Sequence, residues 1–185
     1  MARAGLLAGA LPGEAALRVL FAAGTQFPFP RLDQVVLSVA HERPDWPLVY
    51  QAGPGAALEP FKTLANLVVQ PLFDAEHYQR LFGEAELVVT HAGMGNILAC
   101  LEQSKPFLMM PRRASLGEHR NDHQQDTAEA ISARYGIPTF SAIEPLVEAI
   151  LGRQGKALHT HEVREAIESE RREFAKRLNS LVSSL

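Results

Sequence analysis

Two glycines follow a short apolar run near the middle of the chain. The run at residues 86–90 leads into His-Ala-Gly-Met-Gly-Asn at residues 91–96. Glycine permits tight turns and lets a ligand approach the backbone closely. A helix that begins after such a turn presents free N–H groups and the positive end of its dipole to an anion. The segment therefore suits a diphosphate, although a plain strand-to-helix turn without a ligand is the alternative.

The spacing of these glycines differs from two common nucleotide-binding motifs. The dinucleotide fingerprint G-x-G-x-x-G requires a third glycine where this chain has Leu98. The phosphate-loop pattern G-x-x-x-x-G-K-[ST] does not occur in the sequence. The turn is therefore interpreted as an anion site of another type.

A polar segment at residues 112–124 follows a second apolar run and is dense in hydrogen-bonding side chains. The guanidinium groups of Arg112, Arg113 and Arg120 suit phosphate. Asn121 and Gln124 carry amides that can bind sugar hydroxyls. A solvated loop with an Asp or Asn helix cap is the alternative interpretation.

His119 and His123 are four residues apart, a spacing that suits two metal ligands on one helix. The sequence lacks the H-E-x-x-H pattern, and no third ligand is evident nearby. We therefore expect no metal site here.

The elements that must position these segments alternate between apolar runs and helical periodicity, which is typical of α/β folds. We expect strands at residues 18–23, 48–51, 67–69, 86–90, 107–110 and 138–140, and helices at residues 31–41, 75–82, 96–103, 121–134, 145–151 and 161–181. The predicted fold is a Rossmann-like parallel sheet with helices on both faces. Ligands of such sheets bind at the carboxyl ends of the strands, where the segments at residues 24–26, 91–96 and 112–124 fall.

Composition narrows the class of protein. A chain of 185 residues, 46% hydrophobic and 21% charged, suits one folded domain. A formal charge of −3 argues against a general nucleic-acid-binding protein. Cys100 is the only cysteine in the sequence, which excludes an intrachain disulfide. No apolar run approaches the roughly 20 residues of a membrane span.

Three regions are expected along the chain. Residues 1–16 read as a flexible leader, because their apolar run is short and interrupted by glycine. Residues 17–158 are expected to form the domain, and residues 159–185 a terminal helix. This helix has apolar residues close to one face, and it is expected to pack on the domain or on a partner. The apolar residues are Val163, Ala166, Ile167, Phe174, Leu178 and Leu181.

Four motifs in order resemble those of glycosyltransferase family 28. They are Gly-Thr-Gln-Phe-Pro-Phe with Arg-Leu at residues 24–32, His-Ala-Gly-Met-Gly at 91–95, Lys-Pro at 105–106, and Glu-His-Arg-Asn-Asp-His-Gln at 118–124. Over residues 18–151 the chain resembles the C-terminal domain of this family. Within the family it is similar to the small catalytic subunit of the UDP-N-acetylglucosamine transferase of asparagine-linked glycosylation and to related bacterial exopolysaccharide subunits.

This resemblance implies the C-terminal, donor-binding half of a two-domain GT-B enzyme. The implied reaction is an inverting, metal-independent hexosyl transfer from a UDP-sugar to a lipid-linked saccharide, with no cofactor. A membrane-anchored partner would supply the other half, so the chain would be cytoplasmic and peripheral at the inner membrane. The implied substrate-binding residues are Gly24, Thr25, Gln26, His91, Ala92, Gly93, Met94, Gly95, Asn96, Arg112, Glu118, His119, Asn121, Asp122 and Gln124.

The general base is not evident in this chain. His91 is a candidate, although its position favours a role in orienting the turn, and the resemblance places the base on the partner half. The chain also departs from its relatives at two positions. Ala99 stands where relatives carry a glutamate that binds the ribose hydroxyls, and Ser104 replaces a common glycine.

Two other functions are compatible with the sequence. The chain could be a non-catalytic binding or activating subunit of such a transferase, an alternative that the alanine at position 99 favours. It could also be another Rossmann-type protein, such as a nucleotide-sugar epimerase, but it is short for a two-domain epimerase.

Overall fold

The structure, a computed structural model, describes residues 16–152 and six later residues: Glu165, Glu168, Ser169, Arg172, Glu173 and Lys176. These six are helical and exposed. Residues 1–15 of the predicted leader lie outside the described residues. So does the predicted apolar face of the terminal helix, formed by Val163, Ala166, Ile167, Phe174, Leu178 and Leu181.

A parallel sheet of five strands forms the centre of the described part of the chain. Its strands are β1 (Val19–Ala22), β2 (Leu48–Gln51), β3 (Leu67–Gln70), β4 (Leu87–Thr90) and β5 (Phe107–Met109), in the order β3-β2-β1-β4-β5. Every strand pair is parallel. The predicted Rossmann-like sheet is therefore confirmed. The strand predicted at residues 138–140 is reduced to a single bridge between Thr139 and Met109.

Five helices connect the strands or follow them in the described domain. They are α1 (Pro30–Glu42), α2 (Ala75–Glu84), α3 (Met94–Glu102), α4 (His123–Tyr135) and α5 (Ile143–Leu151). Local residue types explain their ends. Pro30 opens α1, where its missing N–H costs nothing. Asp74 caps α2 by accepting the His77 N–H at 2.8 Å. Gly136 ends α4 in the left-handed conformation with φ 64°.

The helices cover both faces of the sheet, because alternate strand residues point to opposite sides. On one face Val19, Phe21 and Val89 pack with α1 and α5. On the other face Leu20 and Val88 pack with α2, α3 and α4. Strands β1, β4 and β5 are therefore buried on both sides, which accounts for their nearly continuous apolar sequences. No helix among the described residues is long and apolar enough to cross a bilayer.

Ser104, which stands where relatives commonly have glycine, adopts an unusual backbone conformation. This residue follows α3 with φ 52°, a conformation that favours glycine. Its hydroxyl is buried and has no hydrogen-bond partner among the residues that the structure describes. The ammonium group of the neighbouring Lys105 donates to the carbonyls of Gly83 and Ala85 and so ties the end of α2 to the start of β5.

The strand order creates a crevice at one point of the carboxyl edge. The chain runs outward from β1 to β2 and β3, then returns to place β4 on the other side of β1. The connections that leave β1 and β4 therefore diverge. In doubly wound sheets this switch point is where ligands bind.

Candidate functional site

A cavity of about 700 Å³ opens at this switch point. It is open to solvent, and its walls come from the segments that follow β1, β3, β4 and β5. The lining residues are Ala23, Gly24, Thr25, Gln26, Phe27, Gln51, Phe73, Ala75, Tyr78, His91, Gly93, Met94, Gly95, Asn96, Arg112, His119, His123 and Gln124. The volume falls within the range of small-molecule sites.

The amino terminus of α3 forms the centre of the cavity. The prediction that this helix begins near Asn96 was wrong by one half-turn, because Gly93 already takes the extended cap conformation and the helix begins at Met94. Met94 and Gly95 therefore belong to the first helical turn. Gly93 has no side chain to cap that turn, so its N–H groups remain available to an anion.

His91 is wedged between two glycines beside this turn. A Cβ atom at Gly24 would lie 2.7 Å from the ring, and one at Gly93 would lie 2.2 Å from Nε2. The Gly24 backbone, with φ 95°, also disfavours any other residue. The His91 Nδ1–H donates to the Ala22 carbonyl at 3.4 Å. The glycines of both turns are therefore needed to seat one imidazole.

The environment of His91 keeps its ring neutral. Burial is the main cause, and the positive charge of Arg112 adds to it; together they lower the pKa of His91 to about 4. The ring is consequently a weak base at neutral pH, and it does not suit the role of proton acceptor in sugar transfer. Its contacts favour the role of orienting the turn.

The lowered pKa of His91 predicts a loss of stability in mild acid. The unfolded chain binds this proton near pH 6.5 and the folded chain near pH 4, so the stabilising contribution is complete above pH 6.5 and is lost as the pH falls toward 4. We expect His91 to account for about 2 kcal/mol of the loss between pH 7 and pH 5. Urea unfolding at both pH values measures it. A His91→Gln variant that shows the same pH dependence as the wild type would contradict the prediction.

Arg112 does not have the position expected of a phosphate ligand. Its side chain is 2% exposed, and its guanidinium donates to the carbonyls of Phe27 (2.7 Å) and three other residues. Those residues are Ala23, Pro28 and Glu118, at 2.7, 2.7 and 3.1 Å. Arg112 thus joins the loop after β1 to the loop after β5. Its charge still lies at the floor of the cavity.

Glu118, which was predicted to bind substrate, pairs with Arg31 and does not line the cavity. It is buried outside the cavity lining, and its carboxylate accepts from Arg31 at 2.7 Å (Nε) and 2.5 Å (Nη2). The same carboxylate accepts the Arg113 N–H at 2.9 Å. A buried acid with a bidentate cation has little capacity left for a ligand. The pair instead fixes the start of α1 to the loop after β5.

The remainder of that loop divides into lining and supporting residues. His119, His123 and Gln124 line the cavity, and the Gln124 Oε1 accepts the Arg112 N–H at 3.2 Å. Asp122 lies outside the lining, and its carboxylate accepts the Ala114 N–H at 2.8 Å. Asn121 is exposed and accepts from the His123 ring.

The two histidines whose spacing suits a helical metal pair do not lie on one helix. His119 precedes α4, which begins at His123, and the two rings meet edge to face with centroids 4.6 Å apart. Among the described residues, no group of three histidine, cysteine or acidic side chains is arranged to hold a metal ion.

One wall of the cavity was missed by sequence reasoning. Gln51, Phe73, Ala75 and Tyr78 line it, at the ends of β2 and β3 and on α2. The topological rule already contained the signal, since it applies to every strand of the sheet and not only to the three followed by polar segments. Ala92, in contrast, was predicted to bind substrate but is buried behind the turn and does not line the cavity.

The charge of the cavity suits an anion. Its lining includes Arg112 and three histidines, His91, His119 and His123, and no aspartate or glutamate among the described residues. The amino terminus of α3 adds a partial positive charge. A ligand with a diphosphate therefore meets donors without meeting a carboxylate.

Together, the parallel sheet and this cavity define a Rossmann-like domain of the type found in GT-B glycosyltransferases. Residues 18–178 match the glycosyltransferase family 28 C-terminal domain. The chain therefore belongs to this family.

Similarity to a curated relative is consistent with this assignment. The chain is 29% identical over 87 residues to the UDP-N-acetylglucosamine transferase subunit ALG13 of Cryptococcus neoformans var. neoformans serotype D. The aligned part spans 46% of this chain and 41% of the relative.

Solved structures of glycosyltransferases share the fold. The kitacinnamycin glycotransferase has a TM-score of 0.63 at 21% identity, over 97% of this chain and 47% of that chain. MurG of Acinetobacter baumannii has a TM-score of 0.60 at 17% identity, over 84% and 49%. The solution structure of ALG13 has a TM-score of 0.55 at 18% identity, over 78% and 88%.

Proposed function

We propose that this chain is the donor-binding component of an inverting glycosyltransferase that moves a sugar from a UDP-sugar to a lipid-linked saccharide. One observation carries the proposal: the uncapped amino terminus of α3 lies in a carboxylate-free cavity at the switch point of the sheet. That arrangement suits the diphosphate of a nucleotide sugar.

The two ends of the cavity favour one orientation of the donor. The wall formed by Phe73, Ala75 and Tyr78 is largely apolar and aromatic, which suits a nucleoside. The opposite wall carries His119, His123 and Gln124, whose polar atoms suit sugar hydroxyls. With the diphosphate at the first turn of α3, the sugar lies toward the loop after β5.

The chemistry required of this half is the stabilisation of a leaving group. An acceptor hydroxyl attacks the anomeric carbon, the bond from that carbon to the UDP oxygen breaks, and the configuration inverts. The N–H groups at the start of α3 and the nearby charge of Arg112 would stabilise the departing diphosphate without a metal ion. The neutral His91 is a poor proton acceptor, so we place the general base on the other half of the enzyme.

The proposed partner is a second, membrane-anchored Rossmann-like half that binds the acceptor. The full-length glycosyltransferases of similar fold are about twice as long as this domain, which covers 47% and 49% of two of them. The ALG13 relative is described as a subunit of its transferase. We place this chain in the cytoplasm, at the inner membrane through its partner, in exopolysaccharide biosynthesis.

Titration of the purified chain with UDP tests the proposal. We expect weak, saturable binding of UDP, with chemical-shift changes at Met94 and Gly95 in an NMR titration. Uridine is the matched control, since it lacks the diphosphate and is expected to leave these two amides unperturbed. Failure of UDP to shift them would refute the donor site.

A transfer assay separates the enzyme from a non-catalytic subunit. We expect the chain alone to transfer sugar poorly and the chain with its partner to transfer it efficiently. Binding of UDP without any transfer in the presence of the partner would favour the non-catalytic alternative, which position 99 still supports. Robust transfer by the single chain would contradict the two-subunit proposal.

A further inference from the structure

A chain of hydrogen bonds runs from the wall of the cavity to the end of β1. The Tyr78 hydroxyl lies 3.2 Å from the Asn96 Oδ1. The Asn96 Nδ2 lies 2.8 Å from the Thr90 Oγ1, which in turn lies 3.2 Å from the Ala22 carbonyl. Tyr78 and Asn96 line the cavity, whereas Thr90 is fully buried.

The Ala22 carbonyl, at the end of this series of hydrogen bonds, sets the direction of every bond in the series. A carbonyl accepts only, so the Thr90 hydroxyl must donate its proton to Ala22. Thr90 can then only accept from Asn96, so the amide nitrogen of Asn96 faces it. The amide oxygen consequently faces Tyr78, which donates its proton. The lone pairs of the phenol oxygen remain, and toward the cavity Tyr78 is therefore an acceptor.

The position of this acceptor identifies what it can reach. Asn96 lies in the first turn of α3, beside the N–H groups that suit the diphosphate. In a nucleotide the ribose joins the diphosphate to the base, and Tyr78 lies on the wall with Phe73 and Ala75 that suits the nucleoside, so the group it can reach is the ribose. Burial also raises the pKa of Tyr78, so the phenol stays protonated and the chain of bonds is intact at physiological pH.

We propose that the Tyr78 phenol oxygen accepts a hydrogen bond from a ribose hydroxyl of the bound nucleotide, an inference that rests on the proposed donor site. The adjacent turn of α3 supports it. Position 99 is an alanine that packs on the same apolar cluster as the Tyr78 ring, so it offers no carboxylate to the ribose. We infer that the neutral, oriented phenol of Tyr78 is the acceptor instead of a carboxylate.

Nucleotide analogues test this role directly. Calorimetric titration of the full chain with UDP, 2′-deoxy-UDP and 3′-deoxy-UDP should show that one analogue binds about 3- to 10-fold more weakly than UDP, the effect of one neutral hydrogen bond. The Tyr78→Phe variant should bind UDP more weakly by a similar factor. The decisive expectation is coupling: this variant should no longer distinguish UDP from that analogue.

The matched control is Tyr135→Phe, which removes a phenol hydroxyl on α4 that does not line the cavity. It should keep the affinities of the wild type. If Tyr78→Phe retains the wild-type ratio between UDP and both analogues, or if the wild type binds all three equally, the ribose role is refuted while the donor site stands. If the wild type does not bind UDP at all, the proposed function fails first.

Discussion

Replacing Arg112 with methionine should destabilise the domain by about 3–5 kcal/mol, the usual cost of removing one partner from a buried charge network. The substitution keeps most of the apolar stem but removes the donors to the carbonyls of Ala23, Phe27, Pro28 and Glu118. It also leaves the buried Glu118 carboxylate with less positive charge around it. Denaturant unfolding followed by circular dichroism measures the loss.

Arg113→Met is the matched control for this experiment. No hydrogen bond or ion pair between described residues uses the Arg113 side chain. Its replacement should change the free energy of unfolding by about 1 kcal/mol or less. Measuring UDP binding by the Arg112→Met variant as well separates a structural role of Arg112 from a direct role in binding phosphate. An Arg112→Met variant that is as stable as the wild type but does not bind UDP would show that Arg112 is a direct phosphate ligand, contrary to the geometry.

The large expected effect has a structural reason, because Arg112 joins the loop after β1 to the loop after β5. Two cations, Arg31 and Arg112, and two acids, Glu118 and Asp33, lie together beneath the cavity, where Tyr50 also donates to Asp33 at 2.6 Å. Burial raises the pKa of Asp33 and lowers that of Arg112, so each charge depends on the others. Loss of one is expected to loosen both loops that form the walls of the cavity.

Replacing Gly93 with alanine should destabilise the domain by about 1–3 kcal/mol, the usual cost of overpacking. It should also weaken UDP binding by about tenfold or more. The added methyl carbon would lie 2.2 Å from Nε2 of His91, and that ring already contacts Gly24. Either the imidazole or the first turn of α3 must move. Denaturant unfolding and UDP titration measure the two effects.

Gly83→Ala is the control for the added methyl group. This glycine lies within α2, where a Cβ would meet no atom within 4 Å, so the change should be neutral or stabilise by up to about 1 kcal/mol. A double-mutant cycle with His91→Ala tests the cause. If the penalty of Gly93→Ala is as large without the imidazole as with it, the proposed clash is not the reason.

The sheet, its parallel sense and the location of the cavity followed from the sequence for a simple reason. Strands that are buried on both faces have nearly continuous apolar runs, such as residues 86–90, and turn residues mark their ends. Because ligands of doubly wound sheets bind at the carboxyl ends of strands, the segments 24–26, 91–96 and 112–124 were expected to converge. In the structure each of them contributes to one cavity.

Only the tertiary structure decided what the polar side chains at this edge do. Arg112 and Glu118 have the chemistry of ligands for phosphate and sugar, and the sequence gives no sign that backbone carbonyls and Arg31 occupy them instead. Such partners lie up to 89 residues away along the chain, as between Arg112 and Ala23. The same holds for Tyr78, whose proposed role depends on hydrogen bonds that connect it through Asn96 to Thr90 on another element. Residue type determined the fold through local periodicity, whereas each functional role depends on long-range contacts that periodicity does not encode.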